Sequence, residues 1–131
     1  MNVITPLPSI EVALEAWLRA TFQLGDDLVG WDLLGTPPAG YIRIAKVSQS
    51  TTRFEGDFVV DIEVFDPSYL TAESRALDID AALLGYPHVV EVGQEKVVFD
   101  EVTNNAGPAE AFWDDPEVSR ILSTYVITVR R

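Results

Sequence analysis

One histidine and three aspartate pairs are the residues of this 131-residue chain whose types and spacing could do chemistry: His88, Asp26/Asp27, Asp78/Asp80 and Asp114/Asp115. Paired carboxylates can divide acid and base roles or hold a divalent cation. Asp78 and Asp80 are two apart on a predicted helix, so they point to different faces. Asp114 and Asp115 precede Pro116, where aspartates set up turns or cap short helices. The spacing of an EF-hand calcium loop is missing. His88 follows Pro87 at a predicted helix-to-strand turn, a place for a turn or surface imidazole. No serine stands in a G-x-S-x-G turn, so a Ser–His–Asp device has no local signature. The glycines of "GDDLVGWDLLG" are five apart, but Asp26 and Asp27 would repel a phosphate and no lysine follows. Without cysteine there are no disulfides, thiolate chemistry or cysteine-ligated zinc. The expectation is a protein with no catalytic residue, no cofactor site and no metal site.

Composition narrows the function class further. The chain is 47 % hydrophobic and 23 % charged, as a chain with its own apolar core should be, and its length fits one domain over 1–131. Nine Lys plus Arg stand against 21 Asp plus Glu, a net charge of −12. Nucleic-acid binding needs cations to displace counterions from phosphates, so this chain should repel DNA on average. Only Arg130 and Arg131 sit side by side. The start, "MNVITPLPSIEVALEAW", has no basic region and no long apolar run, unlike a signal peptide. No stretch approaches the roughly 20 apolar residues of a membrane span.

Residues that bind rather than react must be positioned by elements, and the hydropathy pattern supplies them. "PLPSIEVALEAWLRATF" predicts a helix capped by Ser9, with Ile10, Ala13, Leu14, Trp17 and Thr21 on one face. Val12, Ala16, Leu18, Ala20 and Phe22 widen its apolar stripe, and Gly25 ends it. "GDDLVGWDLLGTPPAG" reads as an irregular connector, with Leu28, Trp31, Leu33 and Leu34 tucked onto the core. Tyr41–Ser48 and Asp57–Asp66 alternate with period two. In the second, Phe58, Val60, Ile62 and Val64 oppose Val59, Asp61, Glu63 and Phe65, with Asp61 and Glu63 expected in solvent or at a subunit boundary. "QSTTRFEG" between them is too long for a tight turn and reads as a protruding hairpin loop. A second helix follows Pro67, capped by Ser68 or Thr71, with Leu70, Ser74, Leu77, Ala81 and Leu84 along one side and Gly85 as its stop. "HVVEV" and "EKVVFDEVT" are strand material, "NNAGPAEAFWDDP" a turn-rich loop, and "SRILSTYVITVR" a closing strand.

The fold class expected from this order is α+β: a mainly antiparallel mixed sheet of about four strands with two helices on one face, in the order α-β-β-α-β-β. The order hints at a two-fold recurrence, although the halves share no motif. Trp31, Trp113 and Phe54 fall in loops with charged neighbours. Such aromatics either fold back onto the core or await a partner, and for Phe54 the partner is the better reading.

The stretches "GDFVVDIEVFDPSYLTAESRALDIDAALL" and "VVFDEVTNNAGPAEAFWDDPEVSRILSTYVITVRR" resemble the tail terminator proteins of long-tailed bacteriophages, siphophage type. The shared features are Gly107, Pro108, Trp113, Asp114 to Pro116, Val118, Arg120, Thr124, Tyr125, Thr128 and Arg130, in order, behind an N-terminal helix and a charged hairpin. The resemblance implies a virion protein of the tail or neck, assembled in the host cytoplasm. It would form a homo-oligomeric, six-fold ring on the head-proximal end of the tail tube, stop tube growth and present a surface to the head-closure or connector protein. Its partners would be further copies, the major tail tube protein and the connector, with DNA passing through without specific binding. It implies no enzymatic activity and no cofactor. The residues expected at subunit or tube contacts are Arg53, Phe54, Glu55, Trp113, Asp114, Asp115, Arg130 and Arg131. The closing strand is expected to pair with Glu95–Thr103 through a core face of Ile121, Tyr125, Ile127 and Val129, leaving Arg130 and Arg131 for acidic groups of a neighbouring copy. Alternatives are another neck protein, or a small α+β enzyme or ligand-binding module with a pocket between helix and sheet.

Overall fold

The computed structural model describes residues 7–32, 35–52 and 54–131. Among the described residues two helices and six strands follow in the order α1 (Ile10–Phe22), β1 (Val29–Gly30), β2 (Tyr41–Thr51), β3 (Glu55–Asp66), α2 (Tyr69–Leu83), β4 (His88–Val92), β5 (Glu95–Ala111) and β6 (Ser119–Arg130). The strands form one sheet in the order β1-β2-β3-β6-β5-β4, antiparallel except for the short parallel pair β1–β2. The α+β class holds, but about four strands becomes six. The connector contributes β1, whose Val29 pairs with Ile42, and the 88–92 segment pairs fully with β5.

β6 lies in the middle of the sheet. It pairs with β5 on one side and, over its whole length, with β3 on the other. A terminal strand needs partners for its N–H and C=O groups, and both rows find them within the chain. Its core face is Ile121, Tyr125, Ile127 and Val129, as the alternation predicts, with Ser123 among them. α2 packs over β3, β6 and β5, while α1 meets β4 at one sheet edge and β1 and β2 at the other. The sheet therefore curls, and α1 spans the gap between its edges over one apolar core.

Local chemistry explains the helices. The Val12 N–H donates to the Ser9 hydroxyl at 3.5 Å, and the Thr71 N–H to that of Ser68 at 3.3 Å, satisfying otherwise orphaned first-turn donors. α1 stops before Gly25, at Gln23 in the left-handed region. It buries Ile10, Ala13, Leu14, Trp17 and Leu18, whereas Thr21 is exposed. α2 is rotated from the predicted orientation. It buries Ala72, Ala76, Ile79 and Leu83, and turns the Leu70, Ser74, Leu77, Ala81 and Leu84 side outward. Leu70 is 73 % exposed, Leu77 51 % and Leu84 41 %.

Two predicted loops are strand. "QSTTRFEG" is mostly ladder, with Gln49, Ser50 and Thr51 opposite Phe58, Asp57 and Gly56, so the connection is a tight turn and not a protruding loop. Thr52 closes it through its N–H to the Glu55 carbonyl at 2.8 Å. β5 runs on through "NNAGPAEA" to Ala111, taking up the extra residues as bulges against β6. Gly107 sits in one bulge with φ +80°, and a Cβ there would collide with the Leu122 carbonyl, so glycine is required.

Candidate functional site

The sheet face away from the helices is not uniformly open. At the end where β3 finishes and β6 begins, Glu63 is 2 % exposed, contrary to its expected place in solvent. Glu63 Oε1 accepts from Arg43 at 3.1 Å and Oε2 from Arg120 at 2.7 Å. β2 and β6 flank β3, so one carboxylate can take an arginine from each side. A buried carboxylate with two charge-assisted partners is satisfied, while the arginines keep about a quarter to a third of their side chains in solvent (23 % and 31 %).

Each arginine carries a second bond outward. Arg43 Nε donates to the Trp31 carbonyl at 3.4 Å, and an Arg120 terminal nitrogen to the Phe112 carbonyl at 3.0 Å. The Tyr41 hydroxyl donates to the Asp32 carbonyl at 2.7 Å. Burial, and next the Asp32 charge, push the Tyr41 phenol above its ordinary pKa. Trp113 lies edge-on to Phe65 with ring centroids 5.0 Å apart, and Tyr41 covers Phe65 at 6.4 Å. Glu63 thus anchors two loops, the one after β1 and the one between β5 and β6. Further along the same face the surface opens, with Thr124 donating to Asp61 at 2.6 Å and Thr128 to Asp57 at 2.7 Å.

The sequence-predicted contact residues separate into two groups at opposite ends of β6. Phe54 and Glu55 lie at the β2–β3 turn with Arg130 and Arg131; Glu55 is opposite Arg130 in the ladder. Arg53 lies outside the described residues, as do Leu33 and Leu34. Trp113, Asp114 and Asp115 lie at the other end, roughly 35 Å away by strand rise. Phe54 is 66 % exposed. The basic tip, expected to reach a neighbouring copy, is engaged within the chain: Arg130 Nε lies 3.1 Å from Asp100 and Arg131 Nε 2.7 Å from Glu95. Trp113 folds back onto Phe65. Trp31 does the reverse of its expected tucking and is 45 % exposed, and Phe112 beside Trp113 is 82 % exposed. The alternation placed Glu63 on the outward face of its strand but gave it no arginine partners, and it did not single out Phe112; the arginine on each flanking strand was the available signal.

The residues considered for chemistry are placed apart. His88 Nε2 is 3.0 Å from the Leu83 carbonyl, and its ring packs 5.2 Å from Trp17. Asp80 accepts from the Tyr125 hydroxyl at 2.8 Å and from Asn104 at 2.6 Å, joining α2 to β6 and β5. Burial, reinforced by that bond to Asp80, raises the Tyr125 pKa far above its usual value. Among the described residues no three His, Asp or Glu converge as metal ligands, and no helix is long and apolar enough to cross a membrane. A groove of about 680 Å³ runs between α1 and β4, lined by Trp17, Ala20, Pro87 and Val89 among others.

No family model and no curated protein matches the sequence. Among solved structures, a chain from the virion of a native gene transfer agent particle is similar over 93 % of this chain and 95 % of its own, at 17 % identity and a TM-score of 0.58. Another solved chain is similar over 92 % of this chain and 96 % of its own, at 19 % identity, but its TM-score of 0.49 is too low to argue from. The six-stranded, two-helix fold is therefore one that a virion particle also contains.

Proposed function

We propose that this protein is a non-enzymatic structural component of a phage-type virion and, more narrowly, a tail terminator: a ring on the head-proximal end of the tail tube that stops tube growth and meets the head connector. The observation that carries the reading is the end-to-end fold likeness to a virion chain, combined with the ordered motifs from Gly107 to Arg130. A terminator needs a lateral surface for its own copies and two different ends. The outward stripe of Leu70, Leu77 and Leu84 on α2 suits the first, since contiguous exposed apolar residues mark contact surfaces. The turn carrying Phe54 and Glu55 and the opposite end carrying Trp31, Phe112 and Trp113 suit the second.

Charge supports the same reading. The open stretch of sheet carries Asp57 and Asp61 among threonines, a surface along which DNA can move without being gripped. The test is reconstitution. Added to polymerising major tail tube protein, the purified chain should sit as rings on one end of each tube and limit tube length, as seen by negative-stain microscopy. Tubes of unchanged length with bare ends would refute the assignment. Rings that bind the head connector and ignore the tube would favour a head-closure protein.

A further inference from the structure

Two strongly exposed aromatic residues, Trp31 and Phe112, project from backbone that is held in place. The carbonyls of Trp31 and Asp32 are both bonded, by Arg43 and by Tyr41. Phe112 has its carbonyl on Arg120, and its neighbour Trp113 is packed against Phe65. Both arginines end on the same buried carboxylate, Glu63. The subunit thus presents two large apolar side chains whose loops need little further ordering, the condition under which an aromatic contributes most to binding.

The rim is acidic. Asp32 follows Trp31 and Asp27 stands four residues before it, and Asp114, Asp115 and Glu117 follow Phe112. None of these five forms a salt bridge among the described residues. A shallow groove of about 270 Å³ beside Trp31 is lined by Asp32, Tyr41 and the Arg19 that pairs with Glu15 and Asp26, so among its carboxylates Asp32 is the one left for a lysine or arginine side chain. Another copy of this chain is a poor occupant. Of the described cations only Lys46 and Arg75 lack a carboxylate partner, and Arg75 already lies over the Phe22 ring.

We infer that this end of the subunit, Trp31 and Phe112 within their acidic rim, docks a different protein through an apolar patch bordered by lysine and arginine. The inference deepens the terminator reading by giving the chemistry of one of its two end partners. The test places the photo-crosslinking residue p-benzoylphenylalanine at Phe112, and separately at Trp31, in the full-length chain during particle assembly. Lysates are irradiated and adducts mapped by mass spectrometry. Both positions should label one Lys/Arg-bordered patch on one other protein. Trp31→Ala with Phe112→Ala should weaken binding to that purified protein by about thirtyfold, with circular dichroism and self-association unchanged. Adducts only between copies of this chain, or none at either position, would overturn the inference. Purified particles from the same lysates separate the two claims. Adducts to a basic partner in a protein missing from particles end the terminator reading alone; copy-to-copy adducts in a particle-borne protein end this inference alone.

Discussion

Removing Glu63 and removing its arginines are not equivalent operations. Without the carboxylate, Arg43 and Arg120 still reach water, so Glu63→Gln should cost about 1–2 kcal/mol. Replacing both arginines by methionine strands a carboxylate that is 2 % exposed, and the cost should rise to about 3–5 kcal/mol. Urea denaturation of the two variants checks this order; equal stability would mean Glu63 is not buried as described. Tyr125 gives a pH signature. Its folded pKa is raised by burial and by its bond to Asp80, so the neutral phenol's contribution is fully present below the unfolded tyrosine pKa of about 10. Above that pH the unfolded chain ionises first and stability falls. Tyr125→Phe should cost about 1 kcal/mol at pH 7 and flatten the alkaline loss, read from denaturation midpoints between pH 8 and 11.

Among the elements, α2 shows what a single pattern can hide. Its apolar residues lie on two sides, leucines at 70, 77 and 84 against Ala72, Ala76, Ile79 and Leu83, so hydropathy alone does not choose between them, yet the side with the two alanines is the one that fits against the sheet. Leu77→Glu should therefore leave monomer stability within about 0.5 kcal/mol while abolishing self-association in light scattering. Ile79→Ala should cost about 2–4 kcal/mol. A Leu77→Glu protein that unfolds, or that still assembles, contradicts this division of faces. Other elements were legible because their periodicity is clean: α1 with its Ser9 cap, the alternation of β3, and the core face of β6. β5 was legible only as far as Thr103, because the "NNAGPA" that follows carries turn residues that bulges can absorb within a long ladder. The Glu63 cluster escaped local reading for a related reason, since its arginines lie 20 and 57 residues away and meet only through strand order.

For the whole molecule, the arrangement is an apolar flank and two dissimilar ends about one strand length apart. A tube that adds identical rings exposes the same heterologous surface after every addition, so it does not close on itself. Growth stops only when something binds that surface and presents a different one. Under the proposed terminator function, such a stop would use the difference in chemistry between the Phe54 end and the Trp31/Phe112 end. The α+β class was readable from the order of elements, whereas the separation of the predicted contact residues into two ends depended on register that no single stretch encodes. The most direct measurement of the central claim is electron microscopy of lysates in which this gene alone is disrupted. The terminator reading predicts overlong tail tubes beside filled, unjoined heads, restored to normal when the protein is supplied. Tails of normal length joined to heads would contradict it.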